Sequence, residues 1–257
     1  MFRMLKLRPP NGWQAVVWEL GIVTLGVLIA LAVQQWAEQR SWRSKAHAAT
    51  TAFRNELGDH YKWAVEWRVV EPCIVAQIDR LQQRLLASGA KLDPAPVHND
   101  PTLVNSRISF TNYVMRIPSK EFDTSAWQSS ISDGVSSHLD PALRQELDAH
   151  YGEVRSMINL TARNNVDYQR LLSLSRPLPL DPMVRFSLLQ TLDELRGRTG
   201  FMGLQSGQMI EHIVRVGMVP PAAATRDSVT RFGTYQFCRA QGLPMRTLAE
   251  AMTRVPN

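Results

Sequence analysis

Leu20-Gly21-Ile22-Val23-Thr24-Leu25-Gly26-Val27-Leu28-Ile29-Ala30-Leu31-Ala32-Val33 carries no charge, and nine of its residues are Leu, Ile or Val. Extended back through Ala15-Val16-Val17-Trp18, the run is interrupted only by Glu19. A bilayer core about 30 Å thick needs roughly 20 helical residues at about 1.5 Å each, so 15–33 is just long enough to cross. The nine branched aliphatics favour insertion by about −3 to −5 kcal/mol, which outweighs one acid near the end of the span. Trp13 and Trp18 flank one side and Trp36 and Trp42 the other, where interfacial aromatic anchors sit. The expected organisation is a basic tail (1–14), a transmembrane helix (15–36) and an extramembrane domain (37–257).

A cleaved signal peptide competes with this reading. Arg3, Lys6 and Arg8 form a basic start, and Ala30-Leu31-Ala32 is a small-x-small site. That site is embedded in the apolar run rather than following it, and the preceding segment contains Glu19. An uncleaved single-pass anchor is therefore expected. Three basic residues precede the span, while Arg40, Arg43 and Lys45 stand against Glu38 after it. This slight asymmetry favours a cytoplasmic N-terminus, which in a bacterium puts the domain in the periplasm.

Across all 257 residues the net charge is +6 and the mean hydropathy −0.20. The charge is unevenly placed: residues 1–52 hold six Lys/Arg against two Glu, and 53–257 hold 23 against 21. The excess is juxtamembrane, which points to membrane lipid as the partner and away from nucleic acid.

Beyond the span the pattern is helical. Trp42, Ala46, Ala49, Phe53, Leu57, Tyr61 and Ala64 recur in steps of three and four, a near-heptad, coiled-coil-like stripe on a helix leaving the membrane. Pro72 is expected to end it, with Ile74, Ile78, Leu81 and Leu85 on a second helix to Ser88-Gly89. Residues 90–104, with three prolines, read as a loop, and 108–117 as a weak strand. Asp123 or Thr124 caps a short helix through Ile131. Asp140-Pro141 and Asp181-Pro182 each start a long helix, cap first and proline next. The first carries the stripe Leu143, Leu147, Tyr151, Val154, Ile158, Thr161, Tyr168 and Leu172. Two short helices are expected over 227–240 and 244–254. The fold class is all-α: a transmembrane helix continuing into a long helix, then a helical bundle.

The string Trp18-Glu19-Leu20-Gly21 through Gly26-Val27-Leu28-Ile29-Ala30-Leu31 to Gln34-Gln35-Trp36 resembles the opening of a family of uncharacterised bacterial single-pass inner-membrane proteins. Those proteins carry a Glu, an apolar stretch with a Gly-Ile-Leu-Ile-Ala-Leu core, paired amides and a Trp. This chain departs from them with Gln34-Gln35 in place of asparagines. A looser match runs through Trp127, Gly134, Leu139, Leu143, Leu147 and Tyr151. The resemblance covers about a third of the chain and implies a single-pass anchor on a helical domain of unknown function. It brings no catalytic residue.

Several residues invite a functional reading. Glu19, Gly26, Ala30 and Gln34 fall on one face of the span, and Gly26/Ala30 is a small-xxx-small pair that permits close helix approach. The alternative is that Glu19 reaches the headgroups and the glycines are incidental. For Cys73 and Cys238 two alternatives stay open: a disulfide, if the domain lies in an oxidising compartment, or two separate buried thiols. Glu56, Asp59 and His60, and Glu146 with His150, lack the spacing of a bundle metal site and read as solvated faces. Gly203-Leu204-Gln205-Ser206-Gly207 has its serine one position late for a nucleophile elbow. The glycines at 197, 200, 203 and 207 mark a helix break or a tight crossing. No catalytic, cofactor-binding or metal-ligating constellation emerges. The expected function is a membrane-anchored, non-enzymatic interaction or assembly protein, self-associating or joining a larger membrane complex through its transmembrane face and the stripe on 36–64. The alternative is a membrane-anchored ligand-sensing domain.

Overall fold

The computed structural model describes residues 12–97, 114–118 and 120–253. Residues 1–11 of the expected basic tail, the end of the 90–104 loop and most of the 108–117 strand lie outside them.

One helix organises the molecule. Helix α1 runs Gly12–Ala87, 76 residues and so about 114 Å long. Among the described residues it is the one helix long and apolar enough to cross a membrane, with mean hydropathy 2.4 in its most apolar window and none of that window buried. Its second half is the reverse: from Leu57 to Ile78 most side chains are buried, because other elements cover it on several sides. The stripe assigned to outside partners is therefore largely covered from within. Phe53, Leu57, Tyr61 and Ala64 are core residues, with Ala46 and Ala49 packed against them.

Pro72 does not end α1, contrary to the sequence expectation. A proline removes the hydrogen bond to the carbonyl four residues back and crowds that turn. Here the exposed carbonyls are taken up from elsewhere in the chain. The Arg246 guanidinium donates to the Arg68 carbonyl at 3.0 Å, and the Arg246 backbone N–H to that of Val69 at 3.0 Å. Arg246 Nη1 also meets Glu71 Oε2 at 2.5 Å, and Arg68 in turn donates to the carbonyls of Ala251 and Thr253. A remote segment thus replaces what the proline removes, and the helix continues.

The two-residue strand β1 (Lys91–Leu92) pairs antiparallel with β2 (Leu178–Pro179), so the 90–104 loop is pinned near its start. Helix α2 (Ser125–Ser132) leads into a 3-10 turn (Val135–His138) against the start of the bundle, where the His138 ring stacks on Trp42 with centroids 4.0 Å apart. Helix α3 (Pro141–Leu171) and helix α4 (Pro182–Arg215) begin at Asp140 and Asp181, whose side chains each accept two backbone N–H groups of the first turn. Helix α4 lies antiparallel to α1, with Arg185 on the Leu85 carbonyl and Arg196 on Asp79. It is antiparallel to α3 as well, through Arg198–Asp167 and Gln205–Glu153. Ile158, expected inward, is 39% exposed, and polar Asn164 and Asp167 are buried instead to receive Arg198.

The expected helix over 227–240 divides at Phe232 into α5 (Ala222–Arg231) and α6 (Gly233–Ala240), and α7 (Leu248–Met252) follows behind a capping box at Thr247 and Glu250. Cys73 and Cys238 are disulfide-bonded, tying α6 to α1 just beyond Pro72.

The α4 glycines do not break their helix. Gly203 is buried, and a Cβ there would lie 2.7 Å from the Glu71 carboxyl carbon, while Glu71 is itself held by Arg246. Gly203→Leu is therefore expected to cost about 1–3 kcal/mol, read as a lowered melting temperature. Gly197→Leu, at an exposed position with nothing near its Cβ, should leave the melting temperature close to that of the parent chain.

Candidate functional site

Where α1 passes α2 and the 3-10 turn, an open groove of about 860 Å³ is lined by Lys45, Ala49, Ala52, Glu56, Asp59, His60, Trp63, Asp123 and Ala126, among others. Alanines along one face of α1 leave the space, since larger side chains there would meet α2. Polar groups line its floor.

Glu56, 8% exposed, accepts hydrogen bonds from the Tyr151 hydroxyl, the Ala126 backbone N–H at 2.9 Å and Ser125 Oγ at 3.5 Å. Burial raises its pKa, and these donors oppose the rise. The Tyr151 ring stacks on Trp127 at 5.3 Å, which packs against Phe53. Behind Glu56 lie two fully buried histidines. His60 Nε2 is 2.7 Å from the Asp123 carbonyl, an acceptor only, so that nitrogen carries the hydrogen. In neutral His60 the other nitrogen, Nδ1, accepts, and it stands 2.9 Å from His150 Nε2, which is then the donor. His150 Nδ1 is buried with no hydrogen-bond partner among the described residues. Both rings are neutral because burial disfavours the cation: it pushes His60 down to about 4 and His150 well below its ordinary value.

This is a correction to the sequence reading, which placed Glu56, His60 and His150 on solvated faces. They sit in the core because each finds a partner on another element, which no spacing within one helix reveals. Asp59 stays exposed and pairs with Lys62. Glu146 accepts from His212 Nδ1 at 2.6 Å, and that bond first, then Arg215, lowers its pKa. Tyr151 was legible only as a stripe residue and Asp123 only as a candidate helix cap, while Trp63 and Ser125 carried no signal at all.

Ser125 Oγ donates to Asp123 Oδ2 at 3.0 Å and faces Glu56, while His60 is committed to a backbone carbonyl, so serine and imidazole are not paired. Among the described residues no group of three or more His, Cys, Asp or Glu is placed to hold a metal ion.

The sequence-assigned membrane residues are distributed as follows. Trp13, Trp18 and Trp36 are 72%, 72% and 61% exposed, but Trp42 is half-buried between His138 and the Lys45 ammonium, 4.5 Å from its ring centroid. Trp42 thus joins the span to the bundle. Glu19, Gly26, Ala30 and Gln34 are exposed, and Gln34 donates to Glu38 at 3.1 Å.

No protein-family model, curated protein or solved structure matches the chain.

Proposed function

We propose that this chain is a non-enzymatic, single-pass protein of a bacterial inner membrane, an interaction or assembly module whose bundle stands on the periplasmic side. The observation that carries the reading is the continuity of α1. None of its most apolar window is buried, yet the same helix is the centre of the bundle. Whatever grips the span is rigidly coupled to the domain. The Cys73–Cys238 bond supports the periplasmic side, since structural disulfides persist in oxidising compartments. The gripping face is Glu19, Gly26, Ala30 and Gln34, whose small residues admit a second helix at close range.

Replacing Gly26 and Ala30 with leucine is expected to abolish self-association, or capture of membrane partners, in crosslinking and mild-detergent pull-downs, while membrane insertion is retained. Unchanged association would sink the contact-face reading. A reporter fused to the C-terminus (alkaline phosphatase against a cytoplasmic fluorophore) tests the side, with phosphatase activity expected.

The groove favours a second reading, a ligand-sensing domain. Its size, the Trp63 wall and the Glu56/His60 floor suit a small organic molecule. A Trp63→Ala variant that loses ligand-induced stabilisation but keeps its partners would separate the two.

A further inference from the structure

A second crevice, about 700 Å³, opens between α1 and the 3-10 turn and is lined by Gln35, Glu38, Gln39, Trp42, Arg43, Ala46 and His138. The six from α1 fall at steps of three and four, one helical face turned toward the turn segment. The Trp42–His138 stack lies within its lining, which runs from Gln35, in the last turn of the apolar segment, to Ala46.

We infer that this crevice is a binding site for a single phospholipid headgroup bearing both a phosphate and a primary ammonium. The inference rests on the reading that residues 15–36 span the bilayer, and it follows from height and charge. From Trp36 to Trp42 is six residues, about 9 Å along the helix. The headgroup layer on each side of a bilayer is roughly 5–8 Å deep. The crevice lining runs from Gln35 to Ala46, eleven residues and about 17 Å, so it begins at the hydrocarbon boundary, crosses the headgroup layer and continues toward the domain. At that height a cleft between stalk and domain is filled by lipid.

Charge selects the kind of lipid. The crevice face carries one anion, Glu38, and one cation, Arg43. Arg43 makes no ion pair among the described residues, whereas its basic neighbours lie over indoles, Arg40 on Trp36 at 5.6 Å and Lys45 on Trp42 at 4.5 Å. Helical side chains lean toward the N-terminus, so the Arg43 guanidinium reaches back toward the membrane and offers a phosphate its fork of donors. Glu38, steadied by Gln34 on Oε1, remains an acceptor for an ammonium, with the Gln35 and Gln39 amides alongside. A purely anionic headgroup would satisfy Arg43 but meet Glu38 as a like charge. An ethanolamine phospholipid satisfies both.

The test uses the full chain in nanodiscs containing equal ethanolamine and glycerol phospholipid, with retained lipid counted by native mass spectrometry. The expected result is one retained lipid, the ethanolamine species favoured at least threefold. Arg43→Ala should reduce retention at least fivefold, and Glu38→Gln should bring the ratio to unity or below. Arg54→Ala, an exposed change further along α1, should alter neither. Because Arg43 and Glu38 are also exposed, circular dichroism should show all three variants folded. Equal retention of the two lipids by the parent chain, unchanged retention in Arg43→Ala, or displacement by millimolar soluble glycerophosphoethanolamine overturns the proposal. Carbonate extraction separates the two failures. A chain that resists extraction but shows no headgroup preference lacks this site alone, whereas an extractable chain removes the spanning premise as well.

Discussion

Cys73→Ala together with Cys238→Ala should lower the stability of the bundle by about 2–5 kcal/mol, the largest effect expected of any change in the chain. The bond joins positions 165 apart in sequence, a loop near the upper end of what chain entropy alone would give. Both sulfurs are fully buried, so the alanines also leave unfilled space. Position compounds the effect. The bond fastens α6 one residue beyond Pro72, where Arg246 already bridges the turn that the proline disrupts. Freed of it, the C-terminal helices would hold to α1 through the Arg246 and Arg68 clasp and their apolar contacts alone. Urea unfolding of the full chain in detergent reads the loss as a lower midpoint. Reductant should bring the parent chain down to the variant's midpoint and leave the variant unmoved. Coincident midpoints for parent and variant without reductant would show that the closure contributes nothing.

What the sequence disclosed follows the range of the interactions involved. The apolar span, the stripe on 42–64 and the two Asp-Pro starts at 140 and 181 depend on neighbours within a few residues, and each emerged as a helix or a helix start at the expected place. Pro72 was misread because the groups that repair its turn come from Arg246, more than 170 residues away. Glu56, His60 and His150 were misread for the same reason: a polar residue looks solvated until its partner on another helix is known. Gly203 was legible as an anomaly but not as a contact, because Glu71 had to be placed first. The groove itself had no local signature. Alanines at 48, 49 and 52 fit a helix face equally well whether or not space lies beside them.

Acid and alkali should each destabilise the bundle from a stability maximum near pH 6.5, and three buried groups account for the shape. His60 titrates at about 4 in the folded chain against 6.5 when unfolded, so between these values the unfolded state binds more protons. Its contribution is complete above pH 6.5 and disappears as pH falls toward 4, a loss of about 3 kcal/mol at 1.4 kcal/mol per unit. His150, also depressed, adds loss in the same direction. Glu66 has the opposite sign. It is 2% exposed, and burial pushes its carboxyl up to about 8 even though Lys120 and Arg116 draw it down. The folded chain therefore binds more protons between 4.5 and 8, and the Glu66 contribution is complete below 4.5 and fades as pH rises through 8. From pH 6.5 down to 4.5 the growing Glu66 contribution offsets one histidine, and the other still favours unfolding. From 6.5 to 8 Glu66 acts alone among the three and removes about 2 kcal/mol. Unfolding midpoints measured from pH 4 to 9 should trace this asymmetric dome. Glu66→Gln should flatten the alkaline side between 6.5 and 8, and His60→Gln, which keeps a donor for the Asp123 carbonyl, should make the acid side shallower. Profiles that merely shift in parallel would mean that neither group titrates where its burial places it.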